Sequence, residues 1–105
     1  AMAAARPGQI AKNVDRAARE VIEKAGFGKY FVHRTGHGLG NEIHEPPFIT
    51  STSETILEPG MVFSIEPGIY MPDKFGVRLE EIIILTDSGP EILSKISREL
   101  KVIKH

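Results

Sequence analysis

"GVRLEEIIILT", residues 76–86, is the strongest strand sequence in the chain and sets the expected fold. Its apolar residues occupy both alternating sets of positions, which is typical of a strand covered on both faces. Two acidic residues, Glu80 and Glu81, interrupt this run. Because unpaired carboxylates are almost never fully buried, they require a compensating charge. Alternation does not decide which of the two points inward, since both faces are apolar.

Arg78 offers a purely structural explanation for Glu80. Residues two apart share one face of a strand, so a salt bridge between them could neutralise the carboxylate. For a single glutamate this explanation would be favoured. Glu66 has no such neighbour, because no cation lies near it in the sequence. Its partner must therefore come from elsewhere in the fold.

The segments around these glutamates predict an α+β fold with an antiparallel sheet. Apolar residues between Ile10 and Ala25 recur with the helical period, and Gly26 follows them, which predicts one amphipathic helix. "MVFSIEPGIYM" (61–71) alternates, with Met61, Phe63 and Ile65 on one face, and breaks at Glu66. The shorter predictions are a strand at 29–34, a mostly irregular 46–60 with a strand near Phe48, a turn at 87–91, a strand at 92–94 and a helical turn at 96–103.

Composition excludes several classes of function. The 105 residues form at most one domain, 41% hydrophobic and 26% charged. A net charge of −1 without a basic stripe argues against a nucleic-acid partner. No apolar run reaches the roughly 20 residues that a membrane helix needs, and we expect no signal peptide. Cysteine is absent, so disulfides and thiolate chemistry are excluded, and a cytoplasmic location is the default expectation.

"HRTGHGLGNEIHE" (33–45) contains three of the four histidines in the chain: His33, His37 and His44. The glycines at 36, 38 and 40 are expected to adopt positive φ and to let the backbone approach closely, presenting His37. Taken singly, each histidine is more often a surface or hydrogen-bonded residue than a ligand. Together with carboxylates on interior strands, a histidine forms a ligand set for a divalent metal. One imidazole among oxygen ligands suits Mn²⁺, Co²⁺ or Fe²⁺, and Zn²⁺ as an alternative.

This region is only superficially similar to two known motifs, the dinucleotide-binding loop and the zinc-protease helix. "GHGLG" lacks the third glycine of a dinucleotide-binding loop at its required place, and no helix is predicted after it. "HEPPF" lacks the second histidine of a zinc-protease helix, and its two prolines would break that helix.

Four stretches together resemble the second half of a pita-bread metallopeptidase, the family of methionine aminopeptidase, aminopeptidase P and prolidase. They cover nearly the whole of 1–105, and their order and spacing are specific. Three motifs are most similar to the proline-directed members, aminopeptidase P and prolidase. They are H-x-x-x-H before G-x-G, EPG(I/L)Y and VR-x-E. The stretches are "RPG" with "VDRAAREVIEKAGFG", "HRTGHGLGNEIHEPP", "LEPGMVFSIEPGIY" and "GVRLEEIIILT".

The resemblance implies a metal site in the intact parent protein. His37, Glu66 and Glu80 would be metal ligands, with Glu80 bridging two divalent ions, Mn²⁺ first and Co²⁺, Fe²⁺ or Zn²⁺ as alternatives. Glu66 would also act as the general base for a water shared by the metals. The implied reaction is hydrolysis of an Xaa-Pro peptide bond at a free N-terminus, by an Xaa-Pro dipeptidase or an aminopeptidase P.

The resemblance also assigns residues to the substrate, a peptide with proline at its second position. His44 would stabilise the tetrahedral intermediate, and His33 would line the pocket beside the proline. Arg78 would lie behind the ligands or contact the substrate.

The chain departs from the family in its aspartates. The family's dinuclear centre has five protein ligands, two of them aspartates from the preceding half. Asp15, Asp73 and Asp87 do not lie in strand sequence of that kind. With three of five ligands, the chain is expected to be an inactive or nearly inactive fragment, 1–105 forming the C-terminal half of a catalytic domain. It would hold no metal ion or one weakly bound ion.

Two alternative functions belong to other classes. The chain could be a residual module for interaction or for weak binding of one metal ion through His37 and Glu66. It could also be a scaffold that works without metal, as in creatinase, although retention of all three ligand positions counts against that. In either case, a missing half would leave apolar strand surface uncovered, so we expect a homodimer or a swapped assembly.

Overall fold

The fold is seen in a computed structural model, which describes residues 1–40, 44–72 and 75–93. Its regular elements are one α-helix and seven β-strands within those ranges, together with two short 3-10 helices. They are α1 (Ala11–Lys24), β1 (Gly36–Gly38), β2 (Glu45–Ile49), β3 (Val62–Ile65), β4 (Gly68–Met71), β5 (Phe75–Arg78), β6 (Glu81–Thr86) and β7 (Gly89–Ile92).

The strands form two antiparallel sheets. The main sheet has the order β2-β1-β3-β6-β7, and β4 pairs with β5 in a second sheet. Helix α1 supplies Ala11 and Val14 to a core that includes Phe63, Ile83 and Leu85 of the main sheet. Each of these side chains is at most 1% exposed. The predicted α+β class with an antiparallel sheet is confirmed.

Helix α1 confirms the predicted amphipathic helix. It ends at Lys24, and Gly26 just beyond it has a φ of 89°, a conformation that glycine adopts at little cost. Val14 and Ala18 of the predicted apolar stripe are buried, whereas Val21 is 69% exposed. Within the described structure, therefore, only the N-terminal portion of the helix's apolar face is buried against other residues.

The strand predicted at 29–34 is wrong. Gly28–Tyr30 forms a 3-10 turn, and the residues after it are irregular. The side chain of Arg19 in α1 explains the difference, because its Nη1 and Nη2 donate to the carbonyl oxygens of Phe31 and His33, each at 3.0 Å. A guanidinium thus takes the backbone acceptors that a neighbouring strand would have used.

The long strands predicted at 61–71 and 76–86 are each broken near the middle. Glu66-Pro67 separates β3 from β4, and Leu79-Glu80 separates β5 from β6. Pro67 has no N–H to donate to the ladder, which favours a break at this place. The expected break at Glu66 is confirmed, whereas a single strand over 76–86 is wrong.

The strand register is the same on both sides of these breaks. Counting inward from the flanking pairs places Glu66 opposite Glu80. A hydrogen bond of 3.2 Å from the Leu79 N–H to the Pro67 carbonyl keeps the two segments together. The flanking pairs are Ile65 with Glu81 and Gly68 with Arg78.

The remaining predictions concern the two ends of the sheet. The strand near Phe48 is β2, and the turn predicted at 87–91 lies at Asp87-Ser88, between β6 and β7. The strand predicted at 92–94 begins earlier, since β7 spans Gly89–Ile92. The helical turn predicted at 96–103 lies outside the described residues. No helix in the described part of the chain is long and apolar enough to cross a membrane.

Candidate metal and catalytic site

The two faces of the main sheet differ in chemistry. Phe63, Ile65 and Ile83 point toward the core under α1, and the register pairs Ile65 with Glu81. Glu81, 6% exposed, therefore lies on the core side, and Glu80 is exposed. Alternation left open which of the two points inward, and the resemblance selects Glu80 as the ligand; in the structure, Glu81 is the one that points to the core. Continuation of the register assigns Glu80 to the opposite face.

His37 lies on that opposite face, in the middle of β1. Gly38 pairs with Phe63 of β3, so His37 is the neighbour of Ser64. The His37 N–H donates to Ser64 Oγ at 3.1 Å, and the residue is 7% exposed. The histidine is therefore held by the sheet itself rather than by a mobile loop.

The His37 ring faces the carboxylate of Glu66. Nδ1 lies 3.1 Å from the Gly38 carbonyl, which can only accept a hydrogen bond, so Nδ1 carries the proton. The other ring nitrogen, Nε2, lies 3.7 Å from Glu66 Oε2, too far for a hydrogen bond. An imidazole nitrogen and a carboxylate oxygen at this distance form a pair of ligands suited to a cation between them. The side chain of Glu66 is 12% exposed, and its neighbour from elsewhere in the fold is the His37 ring.

The glycines around His37 serve close approach and not positive φ. The described glycines with positive φ are at other positions, so that half of the expectation is wrong. A Cβ on Gly36 would overlap the Ser64 carbonyl oxygen and lie 2.7 Å from its carbon. A Cβ on Gly38 would lie 2.6 Å from the carbonyl carbon of Pro46. These glycines let β1 fit tightly between its neighbours, which confirms the expected close approach of the backbone.

His44 and His33 have different surroundings. The His44 ring is exposed and meets the His37 ring edge-on, with centroids 4.4 Å apart. The His33 ring packs between Phe31 and Tyr70, with centroid distances of 4.9 and 5.7 Å. Its Nδ1 donates to the Arg34 carbonyl at 2.7 Å, and its buried Nε2 has no hydrogen-bond partner among the described residues. Such a buried acceptor is available to a donor from a bound molecule.

The structure brings together some of the predicted site residues and leaves others apart. His37, Glu66 and His44 are neighbours. Glu80 and Arg78 are exposed, and no ion pair joins these two described residues. Across 1–40, 44–72 and 75–93, no three His, Asp or Glu side chains converge as a metal site. Of the three predicted ligands, the described structure brings His37 and Glu66 together, with Glu80 across the strand pair from Glu66.

Three site-adjacent residues were missed by the sequence analysis: Asp15, Arg19 and Thr35. Asp15 is 1% exposed and accepts hydrogen bonds from Arg19 at 2.9 and 3.0 Å and from Thr35 Oγ1 at 2.8 Å. The hydrogen bonds to Asp15 raise the pKa of the Arg19 guanidinium. The sequence did contain a signal for this pair: an aspartate lies in the apolar stripe of the helix, and an arginine follows it four residues later. Because Asp15 is occupied in this way, it is not a replacement metal ligand.

Comparison with known proteins defines the class. The structure superimposes on solved dipeptidase and prolidase domains of the pita-bread type. Residues 1–87 match the model of metallopeptidase family M24, and the chain therefore belongs to that family. The resemblance inferred from the sequence motifs is confirmed.

Individual relatives are similar over almost all of this chain but over little of their own length. The Xaa-Pro dipeptidase of Pyrococcus furiosus is 51% identical over 95% of this chain and 29% of that protein. The structure of a dipeptidase from Pyrococcus horikoshii OT3 is 54% identical with a TM-score of 0.92, covering 94% and 28% of the two chains. An X-Pro aminopeptidase from Thermotoga maritima MSB8 is 41% identical with a TM-score of 0.93, covering 97% and 29%.

Proposed function

We propose that residues 1–105 are the C-terminal half of the catalytic domain of an Xaa-Pro dipeptidase or aminopeptidase P, located in the cytoplasm. The intact enzyme would hydrolyse the bond before a proline at the second position of a peptide with a free N-terminus. The observation that carries this proposal is Nε2 of His37 facing the Glu66 carboxylate at 3.7 Å, in a member of a metallopeptidase family. Relatives named for dipeptidase and for aminopeptidase activity support the proline-directed choice.

The donor set fits divalent metal ions. His37, Glu66 and Glu80 would hold two ions together with ligands from another part of the enzyme, and oxygen-rich coordination favours Mn²⁺ over softer alternatives. When bound, the ions would lower the pKa of a shared water and polarise the scissile carbonyl. The geometry of His37 and Glu66 supports this fit, because an imidazole nitrogen and a carboxylate oxygen face each other at 3.7 Å.

The remaining side chains would bind substrate and move protons. Glu66 would accept a proton from the attacking water. His44, beside His37, would stabilise negative charge developing on the carbonyl oxygen. His33, with its unpaired Nε2 between two aromatic rings, would contact the substrate next to its proline. The exposed Arg78 would contact the substrate or support the ligands from behind.

A hybrid enzyme tests this proposal. The chain would replace the corresponding segment of the Pyrococcus furiosus Xaa-Pro dipeptidase, to which it is 51% identical. We expect the hybrid to release proline from an Xaa-Pro dipeptide with Mn²⁺, and the 105-residue chain alone to give no measurable release. Robust turnover by the chain alone would refute its inactivity. An inactive, folded hybrid, combined with calorimetric binding of one Mn²⁺ to the chain, would favour the alternative of a metal-binding module.

The assembly of the chain is a separate prediction. Tyr70, Val77 and Leu79 near β4 and β5 are 40–48% exposed, which leaves apolar surface open to water. We expect the isolated chain to bury this surface in a homodimer or a swapped assembly. Light scattering at increasing protein concentration measures this directly, and a monomer at all concentrations would contradict it.

A further inference from the structure

We propose that the Asp15–Arg19 ion pair of α1 is a positioning clamp with two arms, one fixing the backbone at His33 and the other fixing the backbone at Glu66. The inference rests on the proposed function, because it takes His33 as a substrate contact and Glu66 as the base. It adds Asp15, Arg19 and Thr35 as positioning residues, which touch neither the metal ligands' side chains nor the substrate.

The clamp itself is a rigid pair. Nε and Nη2 of Arg19 donate to Oδ2 and Oδ1 of Asp15 at 2.9 and 3.0 Å, a two-pronged geometry that lysine cannot reproduce. The residues are four apart on α1, and Asp15 is almost fully buried. The Arg19 guanidinium also stacks on the Phe31 ring at 4.1 Å, which limits its freedom further.

The first arm runs from Arg19 to the backbone at His33. Nη1 donates to the Phe31 carbonyl and Nη2 to the His33 carbonyl, each at 3.0 Å. This segment belongs to no strand, and these two hydrogen bonds tie its backbone directly to α1. The His33 ring, with its unpaired Nε2, is thereby held between Phe31 and Tyr70.

The second arm runs from Asp15 through Thr35 to Glu66. Thr35 Oγ1 donates to Asp15 Oδ1 at 2.8 Å, and the threonine is 0% exposed. The Glu66 N–H donates to the Thr35 carbonyl at 2.6 Å. Glu66 stands at the break between β3 and β4, where Pro67 cannot add a ladder hydrogen bond. The contact with Thr35 therefore ties its backbone to α1.

Because the arms reach different parts of the site, they predict different kinetic effects. In the hybrid enzyme, Arg19→Lys keeps the positive charge but loses the two parallel hydrogen bonds to Asp15. We expect KM to rise about tenfold and kcat to stay within about twofold of the parent value. Thr35→Val removes only the hydroxyl of the second arm, and we expect kcat to fall about tenfold or more with KM little changed. Thr35→Ser keeps the hydroxyl and should restore kcat.

Amide hydrogen exchange of the metal-free 105-residue chain provides a second readout. Thr35→Val should lower the protection of the Glu66 amide about tenfold, while the Ile83 amide in β6 keeps its protection. Arg19→Lys should change the ring ¹⁵N shifts of His33 and leave Glu66 protected. The control is Lys12→Gln, which is also on α1 and removes the ion pair of that lysine with the exposed Glu54, and it should change none of these quantities.

The outcomes separate the clamp from the proposed function. An inactive wild-type hybrid would count against the function, while the exchange and shift measurements would still test the clamp. The two-armed clamp is wrong if Arg19→Lys and Thr35→Val lower kcat to the same extent. It is also wrong if Arg19→Lys leaves KM and the His33 ring shifts unchanged and Thr35→Val leaves kcat and the protection of the Glu66 amide unchanged. Should Thr35→Val fail to fold, Arg19→Lys still decides the first arm and Thr35→Ser against Thr35→Ala decides the second.

Discussion

Replacing Glu66 with Gln is expected to lower kcat of the hybrid enzyme roughly a thousandfold, because a positioned general base contributes about 10² to 10⁴ in rate. Glutamine has nearly the same size, so the packing at the break between β3 and β4 should survive. It cannot accept the proton of water at neutral pH, and it removes the negative charge that faces His37 Nε2. Steady-state proline release at saturating Mn²⁺ measures the effect.

The chain supplies a matched control for this substitution. Glu58-Pro59-Gly60 repeats the local sequence of Glu66-Pro67-Gly68, but Glu58 is exposed. We expect Glu58→Gln to leave kcat within about twofold, because surface substitutions away from special features have small effects. If the Glu66→Gln hybrid keeps a tenth or more of the parent kcat, Glu66 is not the general base, whether or not the metal is still bound.

Replacing Gly36 with Ala is expected to lower the free energy of unfolding by about 3 kcal/mol, at the upper end of the cost of overpacking. The added Cβ would overlap the carbonyl of Ser64, which is backbone and cannot move aside as a side-chain tip would. β1 would have to shift from β3, and the His37 hydrogen bond to Ser64 Oγ would lengthen or break. Urea denaturation followed by circular dichroism measures the loss.

Gly60→Ala is the control for this prediction, since it adds the same methyl group elsewhere. Gly60 has a φ of 93°, and a Cβ there would meet nothing within 4 Å. Its cost is only that of a left-handed conformation, about 1 kcal/mol. If Gly36→Ala destabilises the chain no more than Gly60→Ala does, close approach is not the reason for glycine in β1.

Local patterns predicted a large share of the fold. The period of the apolar residues in 10–25 determined α1, and Gly26 marked its end. Alternation in 61–71 correctly grouped Phe63 and Ile65 on the core face. The break at Glu66 followed from proline chemistry next to a carboxylate. Each of these features depends on residues within one or two turns or strands, and such information is present in a short stretch of sequence.

Other features depended on partners distant in the sequence. The stretch 29–34 has strand composition, yet Arg19 occupies its carbonyl groups. Glycines 36 and 38 were expected to adopt positive φ, but neighbouring strands require their lack of a side chain. In the same way, Asp15 is polar in an apolar stripe because Thr35 and Arg19 meet it in the interior.

The sequence by itself determined the class of fold through periodicity, and its motifs supplied the family and the candidate site residues through their resemblance to known metallopeptidases. Only the tertiary structure decided that Glu81 is the inward carboxylate, that Glu80 stands across from Glu66, and that His37 presents Nε2 to a carboxylate. The side of the sheet that a side chain faces depends on strand register, and register depends on hydrogen bonds between residues distant in the sequence. Those contacts form only when the sheet and α1 have come together.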